Sequence, residues 1–558
     1  MADEYPFLNV PFSTSAALFP TLKPEQIDRL ASQGRIRNVQ AGEILTEAGA
    51  KDAPVFIVKT GRLEVIQLSE AGERPVALFL PGQFTGEMSV LSGRRILVRV
   101  RAKEESEIIE IDRGHLLYII QAESELSEIF MRAFILRHAE LVAQGFGDAL
   151  VIGSNHSAGT LRIREFLGRN GHPYSYIDLD RGSGVQELLD HFQVAVNDVP
   201  VVICCGKEVL RNPTNGRVAE CLGLNEEVDL TAVRDVVIVG AGPAGLAASV
   251  YAASEGLDVL VLEADVLGGQ AGSSSKIENY LGFPEGISGQ ELTERAYTQA
   301  LKFGAQMTVA NGAKTIKCDS KPYTVQLDDN LIVQTRSIII ATGAQYRKLA
   351  IENLPQFEGA GVYYAATYIE SQLCAGDEVI VAGGGNSAGQ AAVFLSQTVK
   401  RVHLLVRSGG LPESMSRYLI RRIEETPNIV LWLNTEITAL VGGEHLESVQ
   451  WHNNENGNVE MREIHHVFVM TGATPNTRWL GGCIALDEAG FIKTGPDLSK
   501  EDLTIAQWPL LRNPYLLETS VPRVFAVGDV RSGNVKRVAS AVGEGSIAIA
   551  FVHRVLQE

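Results

Sequence analysis

Redox-type cysteine spacing is missing from this sequence of 558 residues. No two of its six cysteines stand in C-x-x-C spacing, which a local redox dithiol or a zinc site would need. We therefore expect neither kind of site, and we expect free, buried thiols in a reducing compartment. The six are Cys204, Cys205, Cys221, Cys318, Cys374 and Cys483.

Positive charge and long apolar runs are also scarce. The chain has 49 lysines and arginines against 67 aspartates and glutamates, a net charge of −18, so it would repel nucleic acid and anionic membranes. No apolar run approaches the ~18 residues of a membrane span. The first ten residues, MADEYPFLNV, carry acidic groups where a signal peptide carries basic ones. We expect a cytoplasmic protein that binds neither nucleic acid nor a membrane.

Residues 1–146 contain short β-rich runs between glycine turns, such as PVFIVKTGRLEVIQL and PVALFLPGQFTGEM. A segment with apolar residues three and four apart, ESELSEIFMRAFILRHAELVAQ, follows them. Strands at this spacing predict an antiparallel sandwich or barrel, and the later apolar spacing predicts a helix. We therefore expect the first unit to be a β-roll followed by helices.

The stretch PGQFTGEMSVLSGRRILVRVRA gives this unit a resemblance to the cyclic-nucleotide-binding domain. The resemblance implies that Gly86 and Glu87 hold a ribose, and that Arg94 or Arg95 binds the cyclic phosphate as a bidentate guanidinium. The two residues after Arg95 are larger than the small ones of that family. Two alternatives stay open: the unit binds a cyclic nucleotide, or it serves packing or dimerisation alone.

Residues 147–222 are predicted to form strand, helix and strand, then two further strands: DALVIGS, GTLRIREFLGRNG, YSYIDLD, VPVVICC and GKEVLRNPT. This order, with Val199-Pro200 directly before a strand, resembles the thioredoxin or glutaredoxin fold. The C-x-x-C position of that family falls on residues 154–157, which are Ser, Asn, His and Ser. We expect a small α/β domain without redox thiols there. Cys204 and Cys205 would point to opposite faces of their strand, and a redox role for this pair is an alternative.

The stretch DVVIVGAGPAGLAASVYAASEGLDVLVLEAD has every part of a dinucleotide-binding βαβ unit. Gly240 allows the tight turn after the first strand, Gly242 lets the backbone approach a pyrophosphate, and Gly245 lets the helix pack closely. The helix N-terminus binds the negative charge. Glu263 ends the second strand and accepts the ribose hydroxyls. We expect a bound dinucleotide here.

A second unit of this kind lies in DEVIVAGGGNSAGQAAVFLSQTVKRVHLLVRSGG, with Gly383, Gly385 and Ala388 in its turn. Its second strand ends in Arg407 rather than in an acid. An arginine favours a 2′-phosphate, so NADPH is expected rather than NADH, and Arg417 assists. Two such units in one chain indicate a permanently held flavin and a visiting nicotinamide.

Nearly all of residues 233–558 resembles a low-molecular-weight thioredoxin reductase. The resemblance rests on both glycine turns and on the stretches GGQAGSSSKIENYLGFPEGISGQEL, SIIIATGAQYRKL, HVFVMTGATPNT and RVFAVGDVRSGNVKRVASAV. It implies a homodimer with an FAD-binding domain over 233–349 and 473–558 and an NADPH-binding domain over 350–472. The expected fold is multidomain: a β-roll with helices, a small thioredoxin-like α/β domain, and a two-dinucleotide-binding-domain α/β flavoprotein.

The resemblance implies two sets of cofactor contacts. The residues expected to contact FAD are Gly240, Gly242, Pro243, Ala244, Gly245, Glu263, Ala264, Gly269, Gln270, Asn279, Thr342, Gly343, Gly528, Asp529, Arg537 and Val538. The residues expected to contact NADPH are Gly383, Gly385, Asn386, Ser387, Ala388, Arg407 and Arg417.

The segment GVYYAATYIE departs from the thioredoxin reductase pattern, because Ala365 and Tyr368 replace the two cysteines of its redox dithiol. Hydride transfer from NADPH to FAD needs only bound, oriented cofactors and should persist. Tyr364, Thr367 and Tyr368 would then line the flavin face. The electrons are expected to go to an unidentified small molecule or small redox protein.

Two alternatives to this function remain open. The chain could be a regulatory flavoprotein that senses a cyclic nucleotide or redox state, which requires an effector that favours one conformation. It could also be a thioredoxin-disulfide reductase with a displaced dithiol, using Cys204 and Cys205.

Overall fold

The computed structural model describes residues 16–69, 72–143, 149–155, 157–180, 198–204, 208–274, 276–277, 279–318, 321–364, 366, 368–411 and 415–558. Its helices are α1 (Pro24–Gln33), α2 (Met88–Ser92), α3 (Arg113–Ala122), α4 (Ser124–Ala143), α5 (Ala158–Arg169), α6 (Asn215–Leu222), α7 (Pro243–Ser254), α8 (Gly269–Gly272), α9 (Gly289–Lys302), α10 (Leu354–Phe357), α11 (Tyr368–Leu373), α12 (Asn386–Leu395), α13 (Arg417–Glu425), α14 (Lys500–Ile505) and α15 (Val538–Gln557). Short 3₁₀ helices cover Arg478–Leu480, Gly495–Asp497 and Gly528–Val530.

The strands are β1 (Arg35–Val39), β2 (Ile44–Thr46), β3 (Val55–Thr60), β4 (Leu63–Ser69), β5 (Gly72–Phe79), β6 (Arg99–Ala102), β7 (Ser106–Ile111), β8 (Ala149–Gly153), β9 (Tyr174–Asp178), β10 (Val201–Cys204), β11 (Glu208–Arg211), β12 (Val233–Val239), β13 (Val259–Leu262), β14 (Gln306–Thr308), β15 (Ala313–Lys317), β16 (Tyr323–Leu327), β17 (Ile332–Ile340), β18 (Ala344–Tyr346), β19 (Val362–Tyr363), β20 (Glu378–Ala382), β21 (Arg401–Leu405), β22 (Ile429–Trp432), β23 (Thr435–Gly442), β24 (Leu446–Asn453), β25 (Val459–Glu463), β26 (His466–Val469), β27 (Ala473–Pro475) and β28 (Val524–Ala526).

The N-terminal domain is a roll of two antiparallel sheets, with strand orders β1-β7-β3 and β2-β6-β4-β5. Helices α3 and α4 follow the roll, and α4 covers the segment whose apolar spacing predicted a helix. Phe130 and Phe134 of α4 pack their rings against Phe84, with centroids 4.5 and 6.0 Å apart. All three phenylalanines are fully buried, so this helix closes the roll and completes its core.

The middle domain has one four-stranded sheet in the order β11-β10-β8-β9. β8 and β9 are parallel and joined by α5, while β10 runs antiparallel to both β8 and β11. The peptide bond between Val199 and Pro200, directly before β10, is cis. The predicted order of strand, helix, strand and then two antiparallel strands is therefore present.

The C-terminal part consists of two α/β halves. In the first, the order is β14-β13-β12-β17-β16-β15, and β28 pairs with β17. In the second, β19, β26, β20, β21 and β22 form a parallel sheet next to the antiparallel β23-β24-β25. The chain crosses between the halves through β18 and returns through β27, and these two strands pair with each other. The halves are thus joined by a two-stranded connection.

The cysteines differ from the prediction in one respect. Cys318 and Cys483 form a disulfide with Cα atoms 6.4 Å apart, so the expectation of six free thiols is wrong for this pair. Cys318 directly follows β15. The last residue of β15 is aligned, across the paired strands β16 and β17, with the first residue of β12. The disulfide therefore lies at the opposite end of the sheet from the turn after β12. Cys204, Cys221 and Cys374 are buried free thiols.

One helix among the described residues, α15, is long and apolar enough to cross a membrane by length and composition alone. The core helix of a soluble protein passes the same test. α15 packs along α7, and Ala548, Ile549, Val552 and Val555 contribute to the core of the first half with no more than traces of exposure. Its apolar face is thus accounted for by packing inside the fold.

Candidate functional site

Four loops meet at one edge of the large sheet. Strands β13, β12, β17 and β28 are parallel neighbours in that order. The loops that follow them begin at Glu263, Gly240, Ala341 and Val527. Ligands in open α/β sheets bind outside the carboxyl ends of such strands. This edge is therefore the candidate FAD site.

The first glycine motif spans the turn between β12 and the start of α7, and at two of its three glycines the backbone leaves no room for a side chain. Gly240 has φ of 105°, and a Cβ there would collide with the Ala341 carbonyl. A Cβ on Gly245 would overlap the Gly240 carbonyl oxygen. Gly242 is different, because the nearest atom to its Cβ position is the Gly269 Cα at 4.0 Å. The turn thus leaves room in front of Gly242, where a pyrophosphate would lie.

The N-terminus of α7 faces this space. Gly242 is its N-cap residue, Pro243 is the first helical residue, and no side chain caps the helix. The first N–H groups of the helix are therefore open to a phosphate. Ala244, the next residue, is buried against the loop after β28.

Glu263 lies beside the glycine turn, as predicted for the ribose-binding acid. Its Oε2 accepts a hydrogen bond from the Ala241 N–H at 2.7 Å, and its Oε1 accepts one from the Asp265 N–H at 3.0 Å. Burial raises the pKa of Glu263, and these backbone donors oppose the rise. The following Ala264 packs against Gly312, where a Cβ would approach it to 2.5 Å.

The loop after β13 lies on the glycine turn. The Gly268 N–H donates to the Ala241 carbonyl at 2.8 Å, and a Cβ on Gly269 would lie 3.2 Å from the Gly242 Cα. The side-chain amide of Gln270 donates to the Ala344 carbonyl. This loop thus joins the first turn to the connection between the two halves.

Thr342 and Gly343 hold the two connections together. The Thr342 hydroxyl donates to the Asn476 carbonyl at 2.9 Å, and the Asn476 side-chain amide donates back to the Thr342 carbonyl at 2.8 Å. The Asn476 N–H also donates to the Gly343 carbonyl at 3.1 Å. Asn476 was not singled out from the sequence, because its partner lies 134 residues earlier.

The loop after β28 is fixed by a carboxylate from α15. The Gly528 N–H donates to Glu544 Oε2 at 2.7 Å, and Arg531 Nε donates to Glu544 Oε1 at 3.1 Å. Burial raises the pKa of the neighbouring Asp529, while Lys536 opposes the rise. Glu544 was not singled out from the sequence, although it is the one acidic residue of α15.

Three predicted flavin contacts lie farther out. Asn279 and Arg537 are exposed, and Arg537 is the N-cap residue of α15. Val538, the first residue of that helix, is half-buried. Contact of these three residues with a bound flavin stays a prediction.

The second glycine turn repeats the design of the first. Gly383 has φ of 147°, and a Cβ there would collide with the Met470 carbonyl. Gly385 is the N-cap residue of α12, which begins Asn386-Ser387-Ala388 and has no side-chain capping bond. Asn386 Oδ1 accepts a hydrogen bond from the Ser416 N–H at 2.8 Å, which fixes the start of α13 next to the turn.

Two exposed arginines lie beyond the carboxyl end of β21. Arg407 follows the strand by two residues, and Arg417 is the first residue of α13. A cation at the end of this strand suits the 2′-phosphate of NADPH, which an acid would repel. The arrangement fits the predicted preference for NADPH.

The two positions of the family dithiol are Ala365 and Tyr368. Ala365 and the neighbouring Thr367 lie outside the described residues, and so does the side chain of Tyr368. Ala366 between them is buried. The preceding Tyr364 donates its hydroxyl to Glu358 Oε1 at 2.6 Å, so it is engaged within its own half.

The free thiols offer no substitute for the dithiol. Burial raises the pKa of Cys374 to about 12 and that of Cys221 to about 11, and a thiol at such a pKa is inert at neutral pH. Cys204 is only 1% exposed, and Cys205 lies outside the described residues. The described part of the chain thus holds no exposed free thiol.

Arg169, from the middle domain, reaches the FAD site, which nothing in the local sequence indicated. It ends α5, and its Nη2 donates to the Gly269 carbonyl and to the Leu267 carbonyl at 3.3 Å. Its charge also opposes the rise in the pKa of Glu263. The loop it binds lies 98 residues later, so only the fold reveals the contact.

The two arginines predicted to grip a cyclic phosphate bind the middle domain instead. Arg94 Nη1 donates to the Asn170 carbonyl and Arg95 Nη1 to the Cys221 carbonyl, each at 3.0 Å. Neither is among the residues that line the cavity inside the β-roll, whereas Gly86 and Glu87 are. In this arrangement both arginines lie outside the cavity, and their predicted binding of a cyclic phosphate stays a prediction.

His138 of α4 contacts the carboxylate of Glu87, which was expected to hold a ribose. Its Nδ1 lies 3.0 Å from Glu87 Oε2, and its Nε2 lies 3.0 Å from the Gly171 carbonyl. Both partners are acceptors, so the ring carries both protons. Although burial opposes it, the Glu87 carboxylate raises the pKa of His138, and His138 in turn lowers that of Glu87.

Comparisons with known proteins cover both ends of the chain. Residues 234–545 match the pyridine nucleotide-disulphide oxidoreductase family, and residues 36–123 match the cyclic nucleotide-binding domain. The thioredoxin reductase of Ureaplasma parvum serovar 3 is 32% identical over 322 residues, which span 57% of this chain and 96% of that protein. NADPH-dependent thioredoxin reductase 3 of Arabidopsis thaliana is 30% identical over 368 residues. The matched region is 63% of this chain and 65% of that protein, slightly less than two thirds of its length. The crystal structure of T. acidophilum thioredoxin reductase aligns with a TM-score of 0.52 at 30% identity, covering 58% of this chain and 99% of that one.

Proposed function

This chain belongs to the pyridine nucleotide-disulphide oxidoreductase family, and from that premise we propose that it oxidises NADPH and passes the electrons to an acceptor without a C-x-x-C dithiol. FAD, when bound, accepts a hydride from NADPH and returns electrons to an acceptor. One observation carries the proposal: the nucleotide-binding loops are complete, whereas positions 365 and 368 are alanine and tyrosine.

The chain's own residues bind and orient the two nucleotides. The N-terminus of α7 and the space before Gly242 suit a pyrophosphate, and Glu263 suits the adjoining ribose. Arg407 suits the 2′-phosphate of NADPH. These roles need no thiol, so hydride transfer is expected to be intact.

The remaining cysteines do not restore a disulfide route. The Cys318–Cys483 disulfide lies level with the first residue of β12, at the far end of the sheet from Gly240. A strand rises ~3.3 Å per residue, which separates the two ends by roughly 20 Å. Thiol–disulfide exchange needs direct contact between sulfur atoms. We therefore propose an acceptor that takes electrons from the flavin with no protein disulfide in between, such as oxygen, a quinone, a ferredoxin or a flavodoxin.

Restoring the dithiol tests this proposal. The wild-type protein should oxidise NADPH with a quinone or oxygen and should show no NADPH-dependent reduction of thioredoxin or of an aromatic disulfide. The double variant Ala365→Cys/Tyr368→Cys should gain disulfide reduction, and the single variant Ala365→Cys should not. NADPH-dependent thioredoxin reduction by the wild-type protein would contradict the proposal, and replacing Cys318 and Cys483 by serine would then show whether that disulfide carries the electrons.

We propose that the middle domain is thioredoxin-like, which is supported by the strand order β11-β10-β8-β9 and the cis peptide before β10. We also propose a homodimer, the form taken by the reductases that the chain resembles. Light scattering of the purified protein at twice the mass of one chain would support the dimer, and a single-chain mass would refute it.

Regulation by the N-terminal domain is a second candidate function. Polar contacts run from Glu87 through His138 to the Gly171 carbonyl, and Arg169, two residues before Gly171, binds the Gly269 carbonyl of the FAD loop. Ligand binding near Glu87 could therefore shift the FAD loop, if it favours one arrangement. A change in NADPH turnover on adding cyclic AMP would indicate a cyclic nucleotide as the effector.

A further inference from the structure

The interior of the N-terminal β-roll holds a cavity of about 60 Å³. Most of its lining is apolar, including Val65, Val76, Phe79, Val98 and Val100. Such a lining favours an apolar ligand body over a sugar or a phosphate. The cavity is also far smaller than the ~300–1,000 Å³ of pockets that hold drug-sized molecules, so it does not admit a nucleotide as it stands.

Three polar atoms in this lining have no hydrogen-bond partner among the described residues. They are Thr46 Oγ1, Glu87 Oε1 and Arg137 Nη2. Their residues are only 7%, 7% and 3% exposed. Buried polar groups in native proteins are nearly always hydrogen-bonded, and leaving one unsatisfied is costly. Three such atoms around one cavity point to a polar group that belongs there.

The contacts and charge of Arg137 indicate that the missing polar group is an anion. Its Nε donates to the Leu18 carbonyl and its Nη1 to the Gly86 carbonyl, each at 2.8 Å, so Nη2 is the free donor. Burial lowers the pKa of Arg137 to about 9, at which it still carries its charge at neutral pH. The nearby Glu87 carboxylate binds His138 through Oε2 alone, and because Arg137 and His138 are both charged, the three groups together keep one net positive charge. A buried cation with a free donor favours an anionic acceptor.

We propose that this cavity binds a short-chain apolar carboxylate, whose oxygens accept from Arg137 and Thr46 and whose alkyl part lies among the valines. Its volume is about twice the ~30 Å³ that a water molecule occupies in the liquid, which suits a few heavy atoms. Arg94 and Arg95 are bound to the middle domain and lie outside this cavity. Binding itself is independent of the electron acceptor, whereas any effect on turnover rests on the regulatory role proposed above.

Calorimetric titration of the full-length, FAD-loaded protein with propionate tests the proposal. We expect saturable binding of one propionate per chain and at least tenfold weaker binding of propionamide, which has the same size and no charge. Cyclic AMP should not compete. No saturable propionate binding, or equal affinities for propionate and propionamide, would overturn the proposal, and ordered water would then be the partner of the three atoms.

Variants of the lining show whether binding occurs in this cavity. Thr46→Val removes one donor without changing the size and should weaken propionate binding about tenfold, whereas Thr46→Ser should restore it. Ala77→Leu fills the cavity and should abolish binding. Propionate affinity that is unchanged in both Thr46→Val and Ala77→Leu would place the ligand elsewhere and refute the proposal. Binding that leaves NADPH turnover unchanged would refute only the regulatory role.

Discussion

The two nucleotide-binding units of this protein share a strand, a glycine turn and a helix. They differ in the third small residue of the glycine motif and in the residues that follow the second strand. The third small residue is Gly245 in the first unit and Ala388 in the second. A Cβ on Gly245 would overlap the Gly240 carbonyl oxygen, whereas Ala388 is buried without such a conflict. The first unit therefore has no room for a side chain at this position, whereas the second holds the methyl group of Ala388.

The residues that follow the second strand also differ between the units: Glu263 comes directly after β13, and Arg407 comes two residues after β21. Glu263 is held inside by two backbone N–H groups, whereas Arg407 is exposed to solvent. A fixed acid suits a permanently bound nucleotide, and a solvated cation suits one that arrives and leaves with a phosphate. The comparison indicates that the first unit is built for retention and the second for exchange.

The largest effect is expected from Gly245→Ala. Overpacking of a tight contact costs ~1–3 kcal/mol or more, so FAD affinity should fall by roughly 100-fold. The measurement is the ratio of flavin to protein absorbance after purification. Ala388→Gly in the second unit, and Gly543→Ala in α15, where a Cβ would meet no atom within 4 Å, should both keep the flavin. Full flavin content in Gly245→Ala would break the comparison.

Arg407→Glu should convert the second unit toward the first. A charge-assisted hydrogen bond contributes ~1.5–3 kcal/mol, so the KM for NADPH should rise about 10- to 100-fold. The KM for NADH should rise less or fall, because NADH lacks the 2′-phosphate. Steady-state kinetics with a quinone acceptor measures both. Arg401→Glu, at the opposite end of β21, is the matched control and should leave the NADPH preference intact. An unchanged preference in Arg407→Glu would show that another residue selects the nucleotide.

Arg169→Ala should weaken FAD binding by a smaller factor. The loss of a charged donor to the Gly269 carbonyl costs ~1–2 kcal/mol, which predicts about 5- to 30-fold weaker binding. Recovery of flavin fluorescence on dilution reports the dissociation constant for FAD. Arg164→Ala on the same helix, whose Nη1 donates to Asn155 within the middle domain, should leave FAD affinity unchanged. Equal FAD affinities in the two variants would remove Arg169 from the site.

The smallest effect concerns the contact between Glu87 and His138, outside both units. The raised pKa of His138 gives stability that is complete below its usual value and is lost as pH rises through the folded value. The lowered pKa of Glu87 gives stability that is lost as pH falls below its usual value. His138→Gln should therefore cost ~1–2 kcal/mol near pH 5–6 and less above pH 8. Denaturant unfolding at several pH values measures this, and a pH-independent loss would contradict it.

The sequence predicted best where one short stretch contains all the residues of a feature. Both glycine turns and the β-roll lie where the motifs placed them, because the strand, turn and helix of each glycine turn lie within some thirty residues. Glu263 directly follows its strand, whereas Arg407 lies two residues beyond a strand that it was expected to end. Contacts that join distant segments were missed. Arg169 and Asn476 act on loops that only the tertiary fold brings near them, and the Cys318–Cys483 disulfide joins residues 165 positions apart. Glu544 lies only 16 residues after Gly528, and no motif that was used includes it.

In the cyclic-nucleotide motif, residues that are close in sequence have partners in different parts of the fold. Gly86 and Glu87 lie at the cavity as predicted, but Arg94 and Arg95 turn toward carbonyl groups of the next domain. A motif specifies residue types and not the partners that compete for them. Here the competing acceptors come from Asn170 and Cys221, which no local pattern connects to the β-roll.

Anaerobic titration of the flavin-loaded protein with NADPH tests the central claim most directly. We expect stoichiometric bleaching of the flavin absorbance, followed by reoxidation with air or a quinone and no reoxidation with thioredoxin or an aromatic disulfide. Bleaching followed by rapid reoxidation with thioredoxin would contradict the claim that the dithiol route is absent. Failure of NADPH to bleach bound FAD would contradict the claim that hydride transfer is intact.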